Sequence, residues 1–500
     1  MVKKQKDNNT KKVAGKGFEA EGKRAREINA STAFETCTEQ LSPFGGLLGL
    51  IKFFDLIEFE EVFKNQYIEP SRKTKLGNYH MVAGILMLLF IGFNRLWHFT
   101  YIRLDAMVCG YFHLEILPAA STFWRYINSL GINQANSLLN IMRVLRERVW
   151  LLCGLRYKQI HISTDTTVET AYGYQQGIRK GHNTRNRGKK GYRPVLCFID
   201  ETREYLIGKL RKGETMSSEE VCKFIKRIKD HLPGCVEKVL FRGDGEFFGW
   251  ESVEACIDVG FDCIIANKGA NPPFDSKAWY RPKKRKPVEY NSCIYQPIGW
   301  GSPCRFVAMR FPKDQKSSPG EPIQYELFED DRYTYRIFCT TLIKKAHKVI
   351  AEYDKRADVE NLVGEAKREG LEAIPSAKFK NNYAYFQIVM LAYNIWRYYK
   401  MMAQMSNQEI SSSDDKDTFP HPSLNGLANN QIRIARLRLL LIAAKVVYHS
   451  KDKVKYSIHD MRTPGLTHFL DFLDRARDKI RPWIAENLWP CRFSLDNMRT

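Results

Sequence analysis

The chain has 500 residues, 44% hydrophobic and 27% charged, an ordinary globular balance that buries a substantial core. At roughly 100–200 residues per domain, about three domains are expected. Its 78 Lys and Arg against 56 Asp and Glu leave a net charge of +22, which points to a polyanionic partner and argues against an enzyme acting only on a small neutral metabolite.

Residues 1–41 read as a disordered basic tail, with nine Lys and Arg among the first 30 positions and little that is apolar. No secretory leader is expected there. Over 42–150 long apolar runs predict an all-helical domain, with helices at 47–63, 81–99 and 121–150, the last capped by Ser121. The most apolar stretch, 81–93, is too short to span a membrane and suits a buried helix, so no membrane association is expected.

At 158 the period changes. Strands are predicted at 158–167, 192–199, 204–210, 236–241 and 261–266, with helices at 217–231 and 247–259 between the later ones. Adjacent antiparallel strands followed by β-α-β-α-β describe a mixed α/β sheet covered by helices, the first part of a core over 151–266. Residues 267–335, richer in Pro, Gly, Tyr and Trp, read as a β-rich insertion. Helical periodicity returns at 343–369 and 378–405, so 336–405 forms the second part of the core. A polar linker at 406–430 precedes a last segment, 431–500, expected to bind DNA or to dimerise. The twelve cysteines include no C-x-x-C pair, so a zinc cluster is not expected and the thiols read as reduced, in a cytoplasmic protein.

Two aspartates stand where functional side chains gather in such sheets: Asp165 near the end of one predicted strand, Asp244 just past another. Either alone suits a turn former or helix cap equally well. A third acid is more specific. Taking about 100° per residue with Tyr353 as origin, Arg356, Glu360 and Lys367 fall within an arc of about 60° on the helix predicted to end at Gly370. Val359, Leu362, Val363 and Ala366 fill the adjoining arc, while Asp354, Asp358 and Glu365 are expected to point away. The bland alternative is a solvated face of i,i+4 ion pairs, which leaves the two strand-end aspartates unexplained.

The spacing Tyr353-x2-Arg356-x3-Glu360-x6-Lys367 resembles the Y-R-E-K signature of DDE transposases from bacterial insertion sequences. Asp165-Thr166-Thr167 and Arg242-Gly243-Asp244-Gly245-Glu246-Phe247 are similar to the two aspartate motifs of those enzymes. The likeness is greatest to the thirteen-eighty family of insertion sequences. It extends to Gly173-x-Gln175-x-Gly177, Gly191-Tyr192-Arg193-Pro194-Val195, the Leu210-Arg211-Lys212-Gly213 turn, Gly45-Gly46-Leu47-Leu48, Ser121-Thr122-Phe123-Trp124-Arg125 and the segment from Ile432 to Val447. It covers roughly 42–460. One departure is Ser163, where relatives often carry an extra acid two residues before the first aspartate.

The resemblance implies a ribonuclease-H-like mixed-sheet core with a β-rich insertion, preceded by a helical DNA-binding domain. It implies cut-and-paste transposition: binding the terminal inverted repeats, cutting the element out, and joining its 3′ ends to target DNA. Phosphodiester hydrolysis and strand transfer call for two Mg²⁺ ions, with Mn²⁺ able to substitute, and such ions prefer carboxylate and water oxygens. Asp165 is expected to bridge the two, Asp244 to hold one and Glu360 the other. Tyr353, Arg356 and Lys367 would then grip phosphates beside the break.

Two basic runs are further DNA-contact expectations: 179–193, including Lys189, Lys190 and Arg193, with seven Lys and Arg and no acid, and 281–286. Trp300 and Trp279 are core residues if taken singly, though in related enzymes an aromatic residue of the insertion stacks on a flipped base. His161 and His182 lack ligand-spaced partners. The expected partner is double-stranded DNA, bound by a homodimer in the bacterial cytoplasm, at the nucleoid. Two rivals remain: a catalytically silent, transposase-derived DNA-binding protein, and a ribonuclease-H-like nuclease without strand transfer.

Overall fold

Among the described residues of this computed structural model, eight strands form the main sheet: β1 (Gln159–Thr166), β2 (Val195–Ile199), β3 (Glu204–Lys209), β4 (Lys238–Gly243), β5 (Asp262–Ala266), β6 (Glu289–Tyr295), β7 (Cys304–Pro312) and β8 (Tyr333–Thr340). The structure describes residues 28–71, 73–181, 186–282, 287–312, 332–411, 420–448 and 452–486. Strand order is β6-β7-β8-β5-β4-β1-β2-β3. β1, β2 and β3 run antiparallel, whereas β4 is parallel to β1 and β5 is parallel to β4. β2 is a continuous apolar run, Val-Leu-Cys-Phe-Ile, buried on both faces, as an interior strand demands.

The strands predicted for 158–266 fall within two or three residues of those observed. The exception is 192–199, where Arg193 and Pro194 break the run. Lys190–Tyr192 instead joins a small sheet with Glu169–Thr170 and Arg179–Lys180. The insertion contributes β6, β7 and β8, which extend the main sheet from β5, and β8 crosses the boundary expected at 335. Residues 283–286 and 313–331 lie outside the described residues, as do 1–27, His182 and 412–419.

Two of the predicted helical runs are each broken in two. The run 47–63 divides into Leu47–Leu56 and Phe59–Gln66 at Glu58, whose φ is +50°. The run 121–150 divides into Ala120–Ile127 and Ile132–Leu152, because Gly131 is extended and its N–H donates to Gln134 Oε1 (2.8 Å). Ser121 therefore lies inside the first turn, with Ala119 at the cap position. Apolar repeats report which face is buried and are blind to a break that keeps both halves on the same core.

The described residues from 40 onward form one compact unit, and 28–39 belong to a separate short one. The boundary expected near 150 falls inside the larger unit, where the helices of 47–152 share a continuous apolar core with the sheet and the long helix Phe379–Ser411. That helix also covers β3, the edge of the main sheet. Asn394 accepts from Tyr205 N (2.8 Å) and donates to its carbonyl (2.7 Å), and Gln387 donates to Gly208 O (3.1 Å). An edge strand presents unpaired backbone groups, and here two amide side chains satisfy them. No helix among the described residues is long and apolar enough to cross a membrane.

Candidate active site

Asp165 sits at the next-to-last position of β1, facing Leu196 of β2, and Asp244 follows directly on β4. Because β4 lies parallel beside β1, the two aspartates emerge at the same end of the sheet. Asp244 is held by its own turn: its Oδ1 accepts from Glu246 N at 2.9 Å, capping the 3-10 turn Gly245–Phe247.

The third element changes pitch along its length. Ala346–Asp354 is α-helical, Lys355–Ala357 is a 3-10 turn, Asp358–Ala366 is α-helical again, and Lys367–Leu371 closes as a π turn. Gly370 ends it as expected, at φ +123°, where a Cβ would come within 2.8 Å of Leu89. The four residues predicted to share one stripe are not equally exposed. Tyr353 and Arg356 are buried, Lys367 is half-buried, and Glu360 is exposed. Glu365, expected to point away, is buried instead: it accepts from Ile432 N (2.5 Å) and pairs with Arg397 of the long helix. The wheel assumed one buried face, and this helix is packed on two sides.

Arg356 is the hinge of the site. Its guanidinium donates to the Thr164 carbonyl (2.8 Å) and to Asp165 Oδ1 (2.9 Å), and stands 3.8 Å from Asp244 Oδ2. Tyr353 packs its ring on Phe338 at 4.3 Å between centroids. Both side chains face inward, Tyr353 onto β8 and Arg356 onto the aspartates, as a stripe beside the buried face that meets the sheet. Lys367 donates to the Val168 carbonyl (2.9 Å).

Burial pushes the Asp165 carboxyl up to about 6 against the opposing Arg356 charge, with Asp244 and Glu360 adding to the rise. Asp244 is also raised by burial, again opposed by Arg356. Asp165 and Glu360 line one open cavity of about 670 Å³ with Thr166, Arg193, Lys367 and Arg95. Glu372 lines it too, and two further acids that sequence reasoning did not assign stand behind its wall residues. Glu246 accepts from Thr166 Oγ1 (2.6 Å) and from Arg193 (2.8 Å). Glu169, fully buried, is pushed up to about 8 by burial, partly opposed by Lys367. Glu246 stood in view two residues after Asp244; no local pattern marks Glu169.

Among the described residues no group of three or more His, Cys, Asp and Glu side chains is already gathered to hold a metal ion. The donor chemistry nevertheless fits a hard divalent cation. Asp165 and Asp244 are carboxylates at one sheet end, short of positive charge, with one guanidinium reaching both.

The other expected contacts are placed as follows. Lys189 and Lys190 are exposed at the start of the small sheet's central strand and on its approach, whereas Arg193 is turned inward to Glu246. Trp300 is packed among Phe248, Trp250 and Phe306 at 5.4–5.9 Å, and Trp279 lies under Arg310 at 4.2 Å, both as insertion-core residues. His161 is engaged by Glu201 at 2.6 Å. The eleven cysteines among the described residues are free thiols.

Comparison with known proteins bears on this geometry. Residues 27–415 match the family model described as transposase DDE domain group 1. A piggyBac transposase, solved by cryo-electron microscopy in a synaptic complex with hairpin DNA, is similar at a TM-score of 0.39 and 10% identity, over 90% of this chain and 85% of that one. No curated protein sequence gives a significant match. The match over 27–415 takes in most of the chain, which therefore belongs to the DDE transposase domain group 1 family, whose domains generally use divalent metal ions.

Proposed function

We propose that this member of the DDE transposase family cuts its own element out of DNA and joins the 3′ ends to a target, with Asp165, Asp244 and Glu360 as the metal-holding acids. One observation carries the reading: Asp165 and Asp244 share a sheet end, and burial, with Asp244 and Glu360 adding to it, lifts the Asp165 carboxyl to about 6 in spite of the Arg356 charge beside it. The order β3-β2-β1-β4-β5, three antiparallel strands and then two parallel ones, supports the ribonuclease-H-like core. The Gly173-x-Gln175-x-Gly177, Gly191-Tyr192-Arg193-Pro194-Val195 and Leu210-Arg211-Lys212-Gly213 segments support the thirteen-eighty family in particular.

Two Mg²⁺ ions, or Mn²⁺, would supply charge neutralisation at the scissile phosphate and an acidified water or 3′-hydroxyl. The chain's own residues do the rest. Arg356 positions Asp165 and Asp244 and limits their mutual repulsion, a role different from gripping phosphate. Thr166 and Glu246 fix Arg193 at the cavity wall, and Lys367 stands at the same wall as a point charge for a flanking phosphate. Exposed Lys189 and Lys190 suit the DNA backbone, and synapsis of two ends calls for at least a dimer.

The test uses a plasmid carrying the genomic flanks of the gene for this chain, with Mg²⁺ and purified protein. Wild type is expected to release the flanked segment and join it to a second plasmid, while Glu360→Ala does neither. Binding without cleavage in both would make the chain a silent DNA-binding protein. Cleavage without joining would make it a nuclease.

A further inference from the structure

Beside the acid cavity lies a second pocket of about 330 Å³, walled by Arg95, Trp97, Trp124, Ile374, Pro375 and Tyr385 among others. Arg95 and Ile374 line both, so the two openings adjoin. Large apolar side chains normally turn inward, yet Trp97 is 56% exposed and Trp124 49%.

Their placement is built rather than loose. Trp124 Nε1 donates to the Pro375 carbonyl at 2.9 Å, which fixes the indole edge and leaves the ring half open. Beneath them, Phe99 and Phe123 stack at 3.7 Å between centroids and 4° between planes. That buried pair locks the turn carrying Trp97 to the helix carrying Trp124. Tyr101, also exposed, extends the aromatic surface 5.5 Å from Trp97. Exposed Arg95 and Arg125 add positive charge at its margin.

We propose that this pocket is a stacking platform for unpaired bases of the DNA strand whose phosphate occupies the acid cavity. The inference rests on the DNA-cutting reading above and adds the form of DNA taken there. Paired bases offer a protein only their edges, whereas unpaired bases offer π-faces, which flat indoles and a neighbouring arginine match. The continuity with the acid cavity and the arginines at the margin favour nucleic acid over a protein partner as occupant.

The full-length protein, without divalent metal, is titrated with two probes. One is a duplex with a short single-stranded 3′ tail bearing a fluorescent adenine analogue; the other is the blunt duplex. Wild type is expected to bind the tailed duplex more tightly and to quench the analogue. Trp97→Ala and Trp124→Ala should each weaken tailed binding by roughly five- to a hundredfold, the span of base–aromatic stacking, and relieve the quench. Trp97→Phe should keep most of both. Thermal melting checks folding, and Trp97, on an exposed turn, carries the test if Trp124→Ala does not fold.

Equal affinity for the two probes overturns the platform. So do tryptophan variants that bind both probes normally but lose self-association in sedimentation, which would assign the patch to contacts between copies of the chain. The same wild-type protein is run on the plasmid with Mg²⁺. Cleavage there without tail preference sinks the platform alone, and tail preference without cleavage sinks the transposase reading instead.

Discussion

Two clusters of buried charge stand on the same sheet, and their carboxylates are treated in opposite ways. At the β3 edge, Glu204 accepts from Arg146 Nε (2.9 Å), Trp150 Nε1 (2.7 Å), Tyr398 OH (2.7 Å) and Thr202 Oγ1 (2.7 Å). Every lone-pair direction has a donor, and the cluster ties the helix Ile132–Leu152 and the long helix to the sheet edge. At the β1 and β4 ends, Asp165 and Asp244 divide a single guanidinium, and burial keeps both carboxyls raised. A saturated carboxylate serves the scaffold. A carboxylate left short of positive charge is poised for a cation that arrives with substrate.

If that contrast is right, removing charge at the two places has opposite consequences. The largest effect is expected on chemistry: Asp165→Asn and Glu360→Gln should each lower divalent-dependent DNA cleavage by at least about a hundred- to a thousandfold, since a metal contributes several kcal/mol to such a transition state. Denaturant unfolding should show neither variant much less stable than wild type. A large loss of stability in Asp165→Asn would place that residue with the scaffold.

The next effect is on stability. Arg146→Met leaves Glu204 buried without its ion-pair partner and should cost about 3–5 kcal/mol, read as a lowered midpoint in denaturant. A variant within a kcal/mol of wild type, by contrast, would show that Trp150, Tyr398 and Thr202 suffice.

A pH titration sharpens the comparison further. The folded carboxyl of Asp165, near 6, lies above its unfolded value of about 3.9, so the folded state binds the extra proton. Its contribution to stability is therefore fully present below about pH 4 and is lost as pH rises towards 6. Asp165→Asn should flatten that part of the profile. Cleavage should run the other way, falling as pH drops below about 6, because a protonated carboxyl does not hold a cation. A wild-type stability curve that matches Asp165→Asn across this window would contradict the raised carboxyl.

The smallest effect is expected at the cavity wall. Lys367→Gln should weaken DNA binding uniformly across sequences and reduce the slope of log affinity against log salt by about one. An unchanged slope would remove Lys367 from the phosphate contacts and leave its bond to the Val168 carbonyl as its role.

Legibility followed the range of the forces involved. The strands, the two strand-end aspartates and the helix that carries Glu360 and ends at Gly370 were readable from alternation, helical period and turn chemistry, because these arise from backbone bonding among near neighbours. Helix breaks at Glu58 and Gly131 were not, since both halves keep the same buried face. Nor was the inward turn of Glu365 to Arg397, because a wheel assigns one buried side and this helix has two.

By itself, then, the amino-acid sequence determined a basic, mixed α/β protein with acids at strand ends and a patterned Tyr-Arg-Glu-Lys helix. Tertiary structure alone decided what those residues meet. Arg356 reaches Asp165 across 191 positions of chain, Glu246 meets Thr166 across 80, and Trp124 is anchored to Pro375 across 251. Such contacts are set by strand order and by which element packs on which. A parallel neighbour brings Asp244 beside Asp165, and the packing of a distant helix sets an arginine between them. No local periodicity encodes that arrangement, because its stabilising energy comes from burial between segments far apart in the chain.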